Sequence, residues 1–147
     1  MRQLFIILLL CVFGYGHGCG QNNPYSTNYV EGVVFVDGLP MEGVNVTFSP
    51  RQPQGYSAGG VTDAAGKFKL TTGGAPVNSG ALSGEYNVTF RKVQVKETTF
   101  EESQAGKQTT ETYLIPAKYG DVQTSEISPV TVEKGNKNSF EFHLKTS

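Results

Sequence analysis

Tryptophan is missing from this 147-residue chain, and histidine and cysteine occur only twice each. Without tryptophan the chain lacks the preferred stacking residue of glycan-binding platforms. Two histidines are too few for a site that gathers several imidazoles around a metal. Charge is also sparse. Charged residues make up 17% of the chain, below the usual quarter. Twelve Lys and Arg stand against 13 Asp and Glu, for a formal net charge of -1, so the basic footprint of a nucleic-acid binder is absent. No long apolar run is present either. The longest, Leu4 to Phe13, has ten residues; as a helix it would span about 15 Å, where a membrane core takes about 20 residues. Eighteen Gly and seven Pro without a three-residue period point to many turns rather than to a collagen-like chain.

The apolar run follows a short positive start, Met1-Arg2-Gln3, and precedes Gly14-Tyr15-Gly16-His17-Gly18-Cys19. This is the layout of a signal peptide. Gly16-His17-Gly18-Cys19 resembles a bacterial lipobox, with Gly16 where the usual motif has Leu. On that resemblance residues 1–18 are a lipoprotein signal peptide, and Cys19 is lipidated and becomes the mature N-terminus. The alternative is ordinary secretion with cleavage nearby. A diacylated Cys19 supplies two chains, enough for stable anchoring. Gly20, rather than Asp, after the cysteine points to the outer membrane or cell surface over the inner membrane. The mature chain then has no free cysteine, and residues 19–28, polar and turn-rich, form a flexible tether to a domain over 29–147.

From residue 29 onward the hydrophobic period is two. Val44, Val46 and Phe48 alternate with Asn45 and Thr47; Phe68 and Leu70 with Lys67 and Lys69; Tyr86, Val88 and Phe90 with Asn87 and Thr89; Phe140, Phe142 and Leu144 with Glu141 and His143. Val33 to Val36, Tyr56 to Thr62 and Val130 to Val132 complete about seven short strands. Asp37-Gly38 is a hairpin pair, and Asp63 to Gly66 reads as a type I turn. No window carries a helical stripe. The expected fold is an all-β, antiparallel sandwich of seven to eight strands, with Val34, Val130 and Val132 joining the inward residues above in its core. Residues 93–112 break the rhythm and read as a long polar loop. Tyr113 to Gly120 then packs across one end.

Several stretches together resemble a transthyretin-like, carboxypeptidase regulatory-like domain, as carried by small lipoproteins of planctomycetes and related bacteria. They are Val30-Glu31-Gly32-Val33-Val34 leading to Asp37-Gly38-Leu39-Pro40, Gly43 to Pro50, Thr62 to Phe68, Gly84 to Val88, Ile115 to Tyr119, and Thr124 to Phe142. The resemblance covers about residues 29–145. It implies a prealbumin-like sandwich and no common catalytic site.

Candidate chemistry is thin. With His17 removed alongside the signal, His143 remains, on the outward side of a terminal strand, with no second partner for a triad. Glu101 and Glu102, with Glu97 and Glu111, invite a carboxylate-pair or calcium reading, but neighbours on an extended chain point opposite ways, and a solvated acidic loop is the plainer one. Tyr56, Tyr113 and Tyr119 are the candidate ligand-binding side chains; Tyr25 and Tyr29 read as tether residues. Asn45-Val46-Thr47 and Asn87-Val88-Thr89 match glycosylation acceptors, of consequence only in a eukaryotic protein. No cofactor, metal or nucleic acid is expected. The reading is a non-enzymatic, surface-tethered lipoprotein with a structural or protein-interaction role in the envelope, held to the membrane through Cys19. The alternative is an extracellular module binding a glycan or peptide.

Overall fold

The computed structural model describes residues 23–147. The expected signal peptide, Cys19 and residues 19–22 of the tether lie outside the described residues. Thirteen strands follow in chain order: β1 (Thr27–Asn28), β2 (Val30–Val36), β3 (Leu39–Pro40), β4 (Asn45–Pro50), β5 (Ala58–Val61), β6 (Lys67–Lys69), β7 (Thr71–Thr72), β8 (Ala81–Leu82), β9 (Gly84–Arg91), β10 (Val93–Lys96), β11 (Thr110–Tyr113), β12 (Val130–Val132) and β13 (Asn138–Leu144). A five-residue helix, α1 (Phe100–Gln104), lies between β10 and β11, and a 3-10 turn spans Ala117–Gly120.

Two sheets form the sandwich. The first has the order β12-β9-β4-β5-β7; in the second, β2 is flanked by β13 on one side and by β3 and β6 on the other. All pairs are antiparallel except β13 with β2, whose seven residues run parallel from Asn138 against Val30 to Leu144 against Val36. A parallel pair needs a long crossover; here the rest of the fold lies between the two strands. The hairpin from β2 to β3 turns on Asp37 and Gly38, both at positive φ (50° and 82°), as a two-residue turn of matching twist requires.

The period-two pattern is realised as burial. Val30, Val34 and Val36 of β2, Val46 and Phe48 of β4, and Tyr86, Val88 and Phe90 of β9 all face inward. Phe48 is the hub, with the rings of Phe68, Tyr86, Phe140 and Phe142 centred 5.7 to 6.4 Å away. Each such side chain contributes roughly 1.5–3 kcal/mol by leaving water. Two expected core residues, Val130 and Phe140, are only half-buried. They sit on β12 and β13, the outermost strands of their sheets, where nothing lies beyond to cover them. Ile115 and Tyr119, expected only to pack across an end, are buried core members.

The polar interior is fully paired: among the described residues no buried side-chain N or O lacks a hydrogen-bond partner. Thr62 Oγ1 donates to the Met41 carbonyl and accepts from the Val44 N–H. Asn138 donates through Nδ2 to the carbonyls of Tyr29, Glu133 and Asn136, and its Oδ1 accepts from the Glu133 N–H.

Two stretches differ from expectation. Thr27–Asn28, expected as tether, pair with Ala81–Leu82, and Asn28 Oδ1 accepts from the Gly135 N–H; polar side chains that hydrogen-bond locally can order a segment with no apolar signature. Residues 93–112 are not a featureless loop. β10 and β11 form a hairpin arm in which Val93 faces Tyr113 and Lys96 faces Thr110, and α1 sits at its tip.

Gly32 packs beneath Phe68. A Cβ at that position would lie 2.5 Å from the Phe140 carbonyl oxygen and 2.6 Å from Phe68 Cζ. Gly32→Ala is expected to lower stability by about 1–3 kcal/mol through this overpacking, read from the denaturant midpoint; an unchanged midpoint would refute the close approach. At the C-terminus Asp37 accepts from both the N–H and the hydroxyl of Thr146. These bonds, the hydroxyl's first, hold the Asp37 carboxyl below the usual carboxylate range. Its contribution is therefore present at neutral pH and lost as pH falls through the depressed value. Asp37→Asn is expected to speed amide exchange around Thr146 and to flatten the acid limb of the stability curve; exchange equal to wild type would show that the latch does not hold.

Candidate functional site

The three tyrosines predicted as ligand-binding serve three separate places. Tyr56, 47% exposed, packs against Tyr25 with centroids 4.6 Å apart and the ring planes tilted by 44°. Tyr113, 51% exposed, lies on the arm with the Arg91 guanidinium 5.9 Å from its ring centre. Tyr119 is buried, and its hydroxyl accepts from the Lys145 N–H at 3.0 Å. No two of these rings are in contact, so they form no common stacking platform. Alternation alone cannot tell an exposed tyrosine from one whose hydroxyl serves the backbone of a distant strand. His143 stacks on Phe35 (5.1 Å, 11°), and its Nε2 lies 2.6 Å from Glu141 Oε1. Glu101 and Glu102 lie on a helix, not an extended loop, and Glu102 is engaged in capping it. Among the described residues no three His, Cys, Asp or Glu side chains come together as a metal site.

A groove of about 980 Å³ lies on the outer face of the second sheet. Register builds it row by row. Glu31 of β2 lies between Ser139 of β13 and Lys69 of β6, and Val33 between Glu141 and Lys67. One wall is β5, which comes so near β6 that a Cβ on Gly60 would lie 2.3 Å from the Lys69 carbonyl oxygen. Val61 and Val77 add exposed apolar surface (57% and 79%). The acidic groups of the groove are already engaged. Glu31 accepts from Lys137 Nζ (2.7 Å) and from the Tyr29 hydroxyl (2.9 Å). The hydrogen bond from Lys137, then that from Tyr29, holds its carboxyl below the usual range, while Glu31 raises Lys137. Asp63 Oδ1 accepts from the N–H groups of Ala65 and Lys67 (2.9 Å each), and Glu141 holds His143. Lys67 and Lys69 form no salt bridge among the described residues. In the sequence they read as the wet side of a strand. The one local signal for the groove is the Gly59-Gly60 pair, which permits the close approach of β5.

The arm is the second feature. It leaves β9 at Arg91, whose Nη2 bonds Glu111 Oε2 at 3.2 Å across its base. At the tip Thr99 caps α1: its hydroxyl accepts from the Glu102 N–H, and the Glu102 carboxylate accepts from the Thr99 N–H. This reciprocal capping leaves Phe100 at the first helical position, 79% exposed, and no residue of α1 is buried. The S/T-x-x-E signature of residues 99–102 was legible in the sequence. No apolar period accompanies it to mark a helix.

No family model matches the chain, and no curated protein matches it. Among solved structures it is similar to a variant of BcpA, the major pilin subunit of Bacillus cereus, with 12% identity and a TM-score of 0.41 over 82% of this chain and 30% of the pilin. The chain thus spans less than a third of that subunit's length.

Proposed function

We propose that this chain is an exported, lipid-anchored lipoprotein of the bacterial envelope whose sandwich has a non-enzymatic, protein-interaction role. The observation that carries the reading is the arm. A capped helix with no buried residue presents a phenylalanine to solvent at the end of a hairpin, a side-chain type enriched in interfaces. The acidic and histidine side chains of the described residues support it further: Asp63 is occupied in a turn, Glu102 in a cap, Glu31 by Lys137 and Tyr29, and Glu141 by His143.

The carboxypeptidase regulatory-like, transthyretin-like assignment belongs to the same proposal. Its supporting residues have structural work: Asp37-Gly38 turns the first hairpin, Gly32 lies under Phe68, and Asp63 to Gly66 closes the turn into β6. Anchoring rests on the apolar run from Leu4 and on Cys19. Two acyl chains there suffice for stable membrane attachment, with the outer membrane or cell surface as the site. Among the described residues no helix is long and apolar enough to cross a membrane.

Intact mass and membrane partitioning from native cells test the anchor. The expected result is a mature chain beginning at Cys19, carrying acyl mass and pelleting with membranes, and a Cys19→Ser chain that is unacylated and soluble. A wild-type mature chain without acyl mass, found in the soluble fraction, would overturn the anchor.

A further inference from the structure

We infer that the anchored end of the sandwich lies on the lipid bilayer, with Tyr25, Tyr56 and Val77 seated at the level of the headgroups. The inference deepens the anchored reading proposed above and rests on it. It starts from the short length of chain between anchor and fold. Asn23 stands four residues beyond Cys19, at most about 14 Å along a fully extended chain. From Asn23 onward the chain is tied to the sandwich. The Asn23 side chain accepts from the Tyr25 N–H and donates to the Thr27 hydroxyl, and Thr27–Asn28 pair with β8. The seven residues of β2 separate the two ends of the sandwich by about 23 Å. A tether shorter than that keeps the far end from replacing the near end at the membrane.

The near end carries side chains that suit such a surface. Tyr56, in the loop between β4 and β5, packs against Tyr25. The loop between β7 and β8 runs beside the same ring: a Cβ on Gly74 would lie 3.4 Å from the Tyr25 hydroxyl oxygen. That loop also presents Val77 to solvent. Tyrosine, with an apolar ring and a polar tip, is enriched at membrane–water interfaces. Charge at this end is close to balanced. Arg51 pairs with Glu85, and Lys137 with Glu31, which leaves Lys69, Lys134 and Glu133 outside any salt bridge among the described residues. The contact is therefore with the interface itself and not with anionic headgroups. The arm belongs to the other end. β9 begins at the near end, where Tyr86 faces Pro50, and reaches the far end where Arg91 faces Asn45. The arm leaves β9 there, so seating the near end on the bilayer leaves the arm clear for a partner. The anchor also makes the contact intramolecular, so a patch of weak intrinsic affinity suffices.

The chain has no tryptophan, so one introduced indole reports its own position. The acylated chain is purified from native membranes and reconstituted into phosphatidylcholine vesicles with brominated acyl chains. Tyr56→Trp and Val77→Trp report the near end and Leu39→Trp the far end; all three positions are exposed. Bromine within the bilayer quenches an indole that enters it. Emission from each near-end variant is expected to be quenched several-fold more strongly than that from Leu39→Trp, and adding Val77→Asp to Tyr56→Trp to reduce the quenching. Circular dichroism checks that each variant folds, and Val77→Trp carries the test if Tyr56→Trp does not. Equal quenching at the two ends, quenching at neither, or near-end quenching only after phosphatidylglycerol is added would each overturn the inference. Intact mass is read on the same samples. Acyl mass on Cys19 without near-end quenching would refute the seating and leave the anchor standing. A native chain without acyl mass would overturn the anchor, and the seating with it.

Discussion

One extended stretch, Lys67 to Thr72, belongs to both sheets, and the rest of the structure depends on it. Its first half pairs with β2, and its second half pairs with β5 in the opposite sheet. Leu70, the residue at the switch, is fully buried and donates its N–H to the Val30 carbonyl. Strands that change sheet make the corners of a sandwich. This corner brings β5 against β6, and that contact tolerates no side chain at Gly60. The same stretch sets Phe68 over Gly32 and so fixes the floor of the core.

Closing one side of the sandwich leaves the other open. There β12 and β13 end their sheets, and Val130, Phe140 and Ile127 are half-buried against the core. An open strand edge is an aggregation hazard, which proteins blunt with charge and short caps. β13 carries charge on its outer face. Glu141 and His143 project together from its outer face, and just beyond its end the Lys145 N–H is taken by the Tyr119 hydroxyl. Asp37 then ties down Thr146.

The side chains that usually suggest chemistry have structural partners here. Glu31 holds Lys137, Asp63 closes a turn, Glu102 caps a helix and Glu141 holds His143. These bonds are exposed, where ion pairs contribute little to stability, and their effect is to fix local geometry.

Alternation of period two is a local property, and it determined most of the sandwich before any fold was known. The strand faces of β4, β9 and β13, the turns at Asp37-Gly38 and Asp63 to Gly66, and the aromatic core around Phe48 all follow from neighbours in sequence. The apolar run before Cys19 likewise carries its meaning without tertiary structure. What tertiary structure decided was whatever depends on a strand's neighbours in space. Val130 and Phe140 have inward side chains but lie on outermost strands. Tyr56, Tyr113 and Tyr119 look alike in sequence, yet one packs at a tilt against Tyr25, one faces Arg91 and one caps the end of β13. The parallel pairing of β13 with β2, and the groove that sets β2 between β13 and β6, join residues tens of positions apart. No local period encodes such pairs, because burial at a sheet face is set by what packs beyond the strand.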